Sequence, residues 1–147
     1  MGGDHGTDAS RSCRTARVRA LVDTNVLVRH LTQDTPDQGA RATLLLSASD
    51  QLQLSDVIFA ETIYVLQSVY GASRERIAQA MRGVLGLAAI VVEDRKLLIR
   101  AVDVYEGQRI DFADGYLVAL AETSGVRMIA SFDRSLDRVQ TVTRVEP

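Results

Sequence analysis

The chain has 147 residues, 46% of them hydrophobic and 24% charged, and its formal net charge is −2 at pH 7. This length predicts one domain around a single core, and the composition excludes an intrinsically disordered protein. One cysteine and two histidines exclude an internal disulfide and argue against a Cys/His zinc site. Any bound metal ion would therefore need oxygen ligands. No apolar run approaches the length of a membrane span.

The first 17 residues are rich in Gly, Asp, Ser, Thr and Arg, lack apolar periodicity, and predict a disordered tail. They also lack the apolar central region of a secretory signal, so we expect a cytoplasmic protein that does not associate with membranes. Residues 18–147 are predicted to form the single domain.

The stretch from Val18 to Val22 is a short apolar run that predicts a first strand, and a helix-compatible run begins at Val26. Asp23 lies in the polar turn between them. In an open α/β sheet, ligands bind outside the carboxyl ends of the strands, so Asp23 would lie at the functional edge. The alternative is that Asp23 only caps the following helix, a role for which Asp is well suited.

Helix and strand patterns alternate along the rest of the chain. Periodicity and capping residues predict helices over about 26–31, 36–48, 56–70, 73–85, 94–105 and 111–125, and strands over 18–22, 52–54, 88–92, 126–130 and 142–145. Short connections between strands and helices require parallel strands joined by right-handed crossovers. The predicted fold is α/β, a three-layer α/β/α sandwich with a mostly parallel central sheet. The fully apolar run 88–92 is expected at or near the centre of that sheet.

Glu61 is a second acid in a notable position. Val57 and Ile58 lie one turn behind it and Tyr64 and Val65 one turn ahead, so its carboxylate is predicted to share a buried face with bulky apolar groups. A buried carboxylate must be neutralised, paired or bound to a metal. The alternative is a Glu at the margin of that face, reaching water or an Arg.

Two further acids lie late in the chain. Asp114 falls in the first turn of the last long helix, where it can equally be a favourable end charge. Asp133 follows the predicted strand 126–130 and is thus a second Asp at the ligand edge of the sheet. Together with Asp23 and Glu61, these acids suit a carboxylate site for Mg²⁺ or Mn²⁺, which prefer oxygen ligands. Such an ion activates water and neutralises the charge that develops on a phosphate.

Four segments resemble a PIN domain in their order and spacing, and the likeness is greatest to the VapC-type toxins of bacterial toxin–antitoxin pairs. They are Leu21-Val-Asp23-Thr-Asn-Val-Leu-Val28, the helix with Glu61, Asp111-Phe-Ala-Asp114, and Ser131-Phe-Asp133-Arg134. The resemblance spans Val18 to about Val145. Gly115 departs from it mildly, because Ala is common after the third acid.

The resemblance implies a metal-dependent endoribonuclease that cuts RNA phosphodiesters with one or two Mg²⁺ ions, for which Mn²⁺ can substitute. It implies that the catalytic and metal-binding residues are Asp23, Glu61, Asp114 and Asp133. By the same resemblance, Thr24, Asn25 and Ser131 would support and orient the acids. The expected partners are an RNA substrate, a small cognate antitoxin and a second copy in a homodimer. Apolar residues on helices 36–48 and 56–70 agree with such partners, since they exceed the needs of one core.

Three arginines lie close in sequence to the predicted active edge and could contact flanking phosphates. They are Arg29, Arg134 and Arg138. Any one of them can equally be a solvated surface residue.

Two rival functions from other classes stay open. A phosphatase that forms an aspartyl-phosphate would also place an Asp after its first strand. The usual pattern of such enzymes has a second Asp two residues later, whereas this chain has Asn25 there. The other rival is a non-catalytic PIN-fold module that only binds a partner.

Overall fold

A computed structural model describes residues 19–147. The predicted tail, residues 1–17, lies outside the described residues, as does Val18. The described strands are β1 (Arg19–Leu21), β2 (Gln51–Gln53), β3 (Ile90–Val91), β4 (Met128–Ala130) and β5 (Thr143–Val145). The described α-helices are α1 (Thr24–Thr32), α2 (Pro36–Ala48), α3 (Asp56–Ser68), α4 (Arg74–Leu85), α5 (Arg95–Gln108) and α6 (Phe112–Ser124). A short 3-10 helix, Arg134–Arg138, precedes β5.

Every strand pair is parallel. β2 lies between β1 and β3 in a three-stranded sheet, and β4 pairs with β5 in a two-stranded sheet. Parallel neighbours require helical crossovers, which the alternating helices supply. The predicted α/β class, a three-layer α/β/α arrangement with parallel strands, is confirmed. Within residues 19–147, no helix is both long enough and apolar enough to cross a membrane.

The predicted strand 88–92 is shorter in the structure and pairs directly with the central strand. β3 covers only Ile90–Val91 and lies at one edge of the three-stranded sheet, while β2 is the central strand. Ala89 and Ile90 belong to the hydrophobic core, whereas the Val91 side chain is 40% exposed. One side of this run packs into the core and the other side is partly exposed. An apolar run therefore does not require a strand that is covered on both faces of the sheet.

Capping residues explain where most helices begin. The side chains of Ser55, Ser73 and Asp94 accept hydrogen bonds from backbone N–H groups in the first turns of α3, α4 and α5. These bonds satisfy donors that have no partner inside the helix. α1 begins at Thr24, two residues before the predicted start, because Asp23 takes the capping position.

The buried side chains form two separate hydrophobic clusters. The larger one joins the three-stranded sheet to α1, α3, α4 and α5 and includes Leu27, Leu52, Phe59, Ile90 and Leu98. The smaller one joins β4, the 3-10 helix and the segment before β5 to parts of α5 and α6, and it includes Val104, Ile110, Val118, Ile129, Leu136 and Val142. The two sheets therefore pack against different sets of apolar side chains.

Gly115 allows α6 to approach α5 closely. A Cβ atom at this position would lie 2.9 Å from the Ala101 carbonyl oxygen and 3.3 Å from the Tyr105 nitrogen, both of them backbone atoms of α5. Backbone atoms cannot move aside as the end of a flexible side chain can. The residue that departs from the PIN pattern is thus the one that this helix pair requires.

Candidate active site

The first two predicted acids are linked through Thr24. Asp23 is the N-cap of α1, and its Oδ1 accepts a hydrogen bond of 2.8 Å from the Thr24 backbone N–H. The buried Thr24 hydroxyl in turn donates to Glu61 Oε2 at 2.7 Å. Asp23, Asn25 and Glu61 line the same cavity of about 380 Å³. Asp23 is therefore a helix cap as well as one side of an acidic cavity, and its two predicted roles are compatible.

The prediction that Glu61 shares a buried face is wrong. Glu61 is exposed. Of its four predicted neighbours, Val57 and Tyr64 are 75% and 70% exposed, and Ile58 and Val65 are half-buried. The core side of α3 is formed by Phe59, Thr62, Ile63 and Leu66. Glu61 thus avoids the cost of burial, and its fixed position comes from the Thr24 hydroxyl.

The other two predicted acids contact each other directly. The carboxyl groups of Asp114, in the first turn of α6, and Asp133, after β4, share a hydrogen bond. Burial raises the pKa of Asp114, and the hydrogen bond with Asp133 and the charges of Asp133 and Asp111 raise it further. These effects favour the neutral form of Asp114 over its charged form, and a cation next to the pair would act in the opposite direction.

The turn that carries Asp133 is fixed by local hydrogen bonds. The Asp133 backbone N–H donates to Ser131 Oγ at 2.9 Å, and the Ser135 backbone N–H donates to Asp133 Oδ1 at 2.9 Å. Hydrogen bonds from Ser135 are the main reason that the pKa of Asp133 is lowered, and the hydrogen bond with Asp114 and the charge of Arg138 add to the effect. Ser131 thus positions the backbone of the acid, not its carboxylate.

The predicted acids form two pairs, not one cage, in this structure. Among residues 19–147, no three acidic, histidine or cysteine side chains lie close enough together to hold a metal ion. One pair belongs to α1 and α3, and the other belongs to α6 and the end of β4. The chemistry of the donors still fits a hard divalent cation, because all four are carboxylates and one pair carries unfavourable negative charge.

Arg29 is engaged by neighbouring side chains. Its Nη1 donates to both carboxylate oxygens of Asp34 at 2.9 Å, and its Nε donates to Gln38 Oε1 at 2.9 Å. The Tyr70 hydroxyl donates to Asp34 Oδ2 at 2.6 Å. This hydrogen bond is the largest of the effects that lower the pKa of Asp34 to about 2. Arg29 lines the acidic cavity, but its charge is already balanced by Asp34.

Arg138 and Arg134 follow Asp133 in the 3-10 helix, which the sequence did not predict. Arg138 donates to the Arg109 carbonyl oxygen at 3.4 Å, and its charge acts on Asp133. The charge of Arg134 acts on Asp137. Of the three predicted phosphate contacts, Arg138 therefore acts on the Asp114–Asp133 pair, whereas Arg29 lines the cavity of the Asp23–Glu61 pair.

A groove extends from Glu61 of the first acidic pair to the start of α6, and sequence reasoning missed it. It has a volume of about 650 Å³ and is lined by α3 residues that include Glu61, Tyr64 and Gln67, and by the beginning of α6 from Asp111 to Ala113. Asp111 occupies the N-cap position of α6, but its side chain makes no capping hydrogen bond. Helical spacing between Glu61, Tyr64 and Gln67 was the available signal.

The geometry described above is that of a parallel α/β protein with acids at the carboxyl ends of β1 and β4. The family model of the PIN domain matches residues 20–142, and the chain belongs to this family, as its motifs predicted. It is also similar to Ribonuclease VapC26 of Mycobacterium tuberculosis (strain ATCC 25618 / H37Rv). The two are 28% identical over 116 residues, which cover 78% of this chain and 86% of that protein.

Proposed function

We propose that the protein is a metal-dependent endoribonuclease, the toxin of a toxin–antitoxin pair, and that it hydrolyses RNA phosphodiester bonds. The observation that carries this proposal is the recurrence of acids at the carboxyl ends of β1 and β4 in a PIN domain, each paired with an acid from a helix. The similarity to a protein named as a ribonuclease supports the choice of RNA.

In this proposal, Asp23, Glu61, Asp114 and Asp133 are the catalytic residues and hold Mg²⁺, for which Mn²⁺ can substitute. When bound, such an ion lowers the pKa of water and offsets negative charge on the phosphate. The Thr24 hydroxyl keeps Glu61 beside Asp23, and Ser131 keeps the backbone at Asp133 in place. Asn25 lies in the same cavity as Asp23 and can donate to a substrate oxygen.

Arg138 is the arginine best suited to a flanking phosphate, because it lies next to Asp133 and is exposed. Arg134 is exposed on the same short helix and could contribute in the same way. Arg29 would have to exchange its contacts with Asp34 for a phosphate, so we assign it to structural support.

The test is cleavage of single-stranded RNA with controlled metal content. Activity is expected with Mg²⁺ or Mn²⁺ and should disappear with excess EDTA, because the carboxylates alone would repel the phosphate backbone. Ca²⁺ should bind but support turnover poorly, since its looser geometry positions water less well. Protein freed of contaminating nuclease that cuts equally well in EDTA would contradict the metal mechanism.

We also propose a small antitoxin as partner, a homodimer, and a cytoplasmic location. Exposed apolar side chains on α2 and α3 support a protein partner, among them Leu44 and Val57. Co-purification from the native operon tests both associations. A chain that emerges alone and monomeric at micromolar concentration would rule them out.

A second candidate is a non-catalytic PIN module that binds a partner. It is favoured by the absence, within residues 19–147, of three acids close enough to hold a metal ion. The two candidates differ in the metal-dependent cleavage assay. The module would cut no RNA with any divalent ion and would show no rise in melting temperature on addition of Mg²⁺.

A further inference from the structure

The groove between α3 and α6 begins at Glu61 of the first acidic pair and extends to the start of α6. Glu61 belongs both to the cavity that contains Asp23 and to this groove. At the other wall, Asp111 lies one turn before Asp114. A substrate whose phosphate lies among the acids would therefore place an adjoining group in this groove.

One wall of the groove carries an exposed aromatic ring. Tyr64 follows Glu61 by three residues on α3, is 70% exposed, and lines the groove together with Gln67. Single-stranded nucleic acids are bound by stacking unpaired bases on such rings. The partly apolar floor formed by Phe112 and Ala113 suits the flat face of a base and offers a phosphate no positive charge.

Two of the polar side chains that line the groove have no hydrogen-bond partner within residues 19–147. Asp111 makes no capping hydrogen bond at the start of α6, and the Gln67 amide forms no hydrogen bond among residues 19–147. A carboxylate accepts hydrogen bonds and cannot donate them when it is ionised. A base that presents two adjacent donors on its Watson–Crick edge would satisfy both oxygens, and guanine is the RNA base with this edge.

We propose that the groove is a nucleobase subsite of the ribonuclease proposed above. A guanine next to the scissile phosphate stacks on Tyr64, donates its N1–H and N2–H groups to Asp111, and accepts from or donates to Gln67. This assignment rests on the proposed function and adds the substrate's base preference. RNA is favoured over a protein occupant because Glu61 makes the groove continuous with the acids that would bind the phosphate.

The first experiment cleaves a randomised single-stranded RNA pool with the full chain and Mg²⁺, and sequences the new ends. We expect guanine to be enriched at one position beside the cut. Short RNAs that differ only at that position should then differ by about 5- to 100-fold in kcat/KM, as one bidentate base contact provides.

The variants separate the subsite from general effects on catalysis. Asp111→Asn should abolish the guanine preference, whereas Asp37→Asn, an equal charge change in the first turn of α2, should leave it unchanged. Tyr64→Leu should raise KM and lower kcat/KM about 5- to 100-fold, the loss expected for one stacked base, while Tyr64→Phe should retain stacking.

Three outcomes would overturn the inference. The first is cleavage without base preference, and the second is a guanine preference that survives Asp111→Asn. The third is a Tyr64→Leu variant that cuts RNA normally but no longer co-purifies with a protein from its operon, which would make the groove a protein-binding surface. If the wild-type chain cuts no RNA with Mg²⁺ or Mn²⁺, the proposed function fails first, and the subsite fails with it.

Discussion

The two acidic pairs differ in what keeps their carboxylates in place. Around Asp23 and Glu61, the neighbouring groups are donors, since the backbone and hydroxyl of Thr24 each provide a hydrogen bond. Around Asp114, the main neighbour is another acid, and the pKa of Asp114 is raised. The first pair is therefore organised before any cation binds, whereas the second pair is relieved by a proton or a cation.

This difference suggests a division of labour between the pairs. The Asp23 pair can provide a fixed position for an ion, because its geometry is already determined by α1 and α3. The Asp114 pair provides the negative charge that would draw the ion in. Substitutions in each pair separately test this difference.

The largest expected effect is the loss of cleavage when either pair is broken. Asp23→Asn and Asp114→Asn should each reduce kcat by roughly a hundredfold or more, comparable to removing one well-placed electrostatic stabiliser. Asn keeps the shape of Asp and can still cap α1, so Asp23→Asn should fold normally. Rates on a defined RNA check this prediction. Near wild-type cleavage by Asp23→Asn would leave Asp23 as a cap alone.

Gly115→Ala should lower the free energy of unfolding, and its effect is expected at α6, the helix that carries Asp114 of the second pair. The new Cβ would lie 2.9 Å from a backbone oxygen of α5, and overpacking of this kind typically costs about 1–3 kcal/mol of unfolding free energy. Gly83→Ala is the matched control, because a Cβ there meets no atom within 4 Å and lies within α4. That control should hold or raise stability, by up to about 1 kcal/mol. Denaturant unfolding compares them, and equal stability of both variants would contradict the packing argument.

The two pairs should also differ in metal-free stability. Asp114→Asn should raise the melting temperature without metal by a few degrees or less, because it removes a charge that burial and Asp133 disfavour. Asp23→Asn should change the metal-free melting temperature little, because the Asn side-chain oxygen can still accept the hydrogen bond from the Thr24 N–H. The rise on addition of Mg²⁺ should shrink in both variants. A lower metal-free melting temperature for Asp114→Asn would remove the contrast between the pairs.

The smallest expected effect concerns the charge next to the first pair. The Tyr70 hydroxyl and Arg29 hold the pKa of Asp34 at about 2, below its usual range. A lowered pKa means that the ionised Asp34 stabilises the folded state at pH values above its unfolded pKa. That stability is lost as the pH falls towards about 2. The melting-temperature difference between wild type and Asp34→Asn should therefore shrink between about pH 5 and pH 3.

Asp37→Asn is the control for this measurement. Asp37 is exposed and lies 3.7 Å from Arg41, so its replacement should change the melting temperature little at either pH. A difference for Asp34→Asn that stays constant over this pH range would show that its contacts with Tyr70 and Arg29 do not depend on charge.

The order of the elements was predictable from sequence because it depends on local signals. Ser55, Ser73 and Asp94 start helices by bonding the next turn, and apolar periodicity marks the segments that follow. Asp23 and Asp133 could be found for the same reason, since each follows directly on an apolar strand.

The environment of each acid was not predictable in the same way. Periodicity places Val57, Glu61 and Tyr64 on one face of α3, but it does not say whether another element covers that face. The close approach of α6 to α5 at Gly115 is a contact between two helices, which periodicity within one helix does not indicate. The network of Arg29, Asp34 and Tyr70 joins residues from different elements, and no local pattern indicates it.

The presence of two hydrophobic clusters has a consequence for local opening of the fold. Asp23 and Glu61 are carried by elements of the larger cluster, whereas Asp133 follows β4, which packs into the smaller one. Regions with few buried contacts open more often than the rest of a protein. Amide hydrogens of β4 and β5 should accordingly exchange with solvent sooner than those of β2. Such openings would separate Asp133 from Asp114 while Asp23 and Glu61 stay joined.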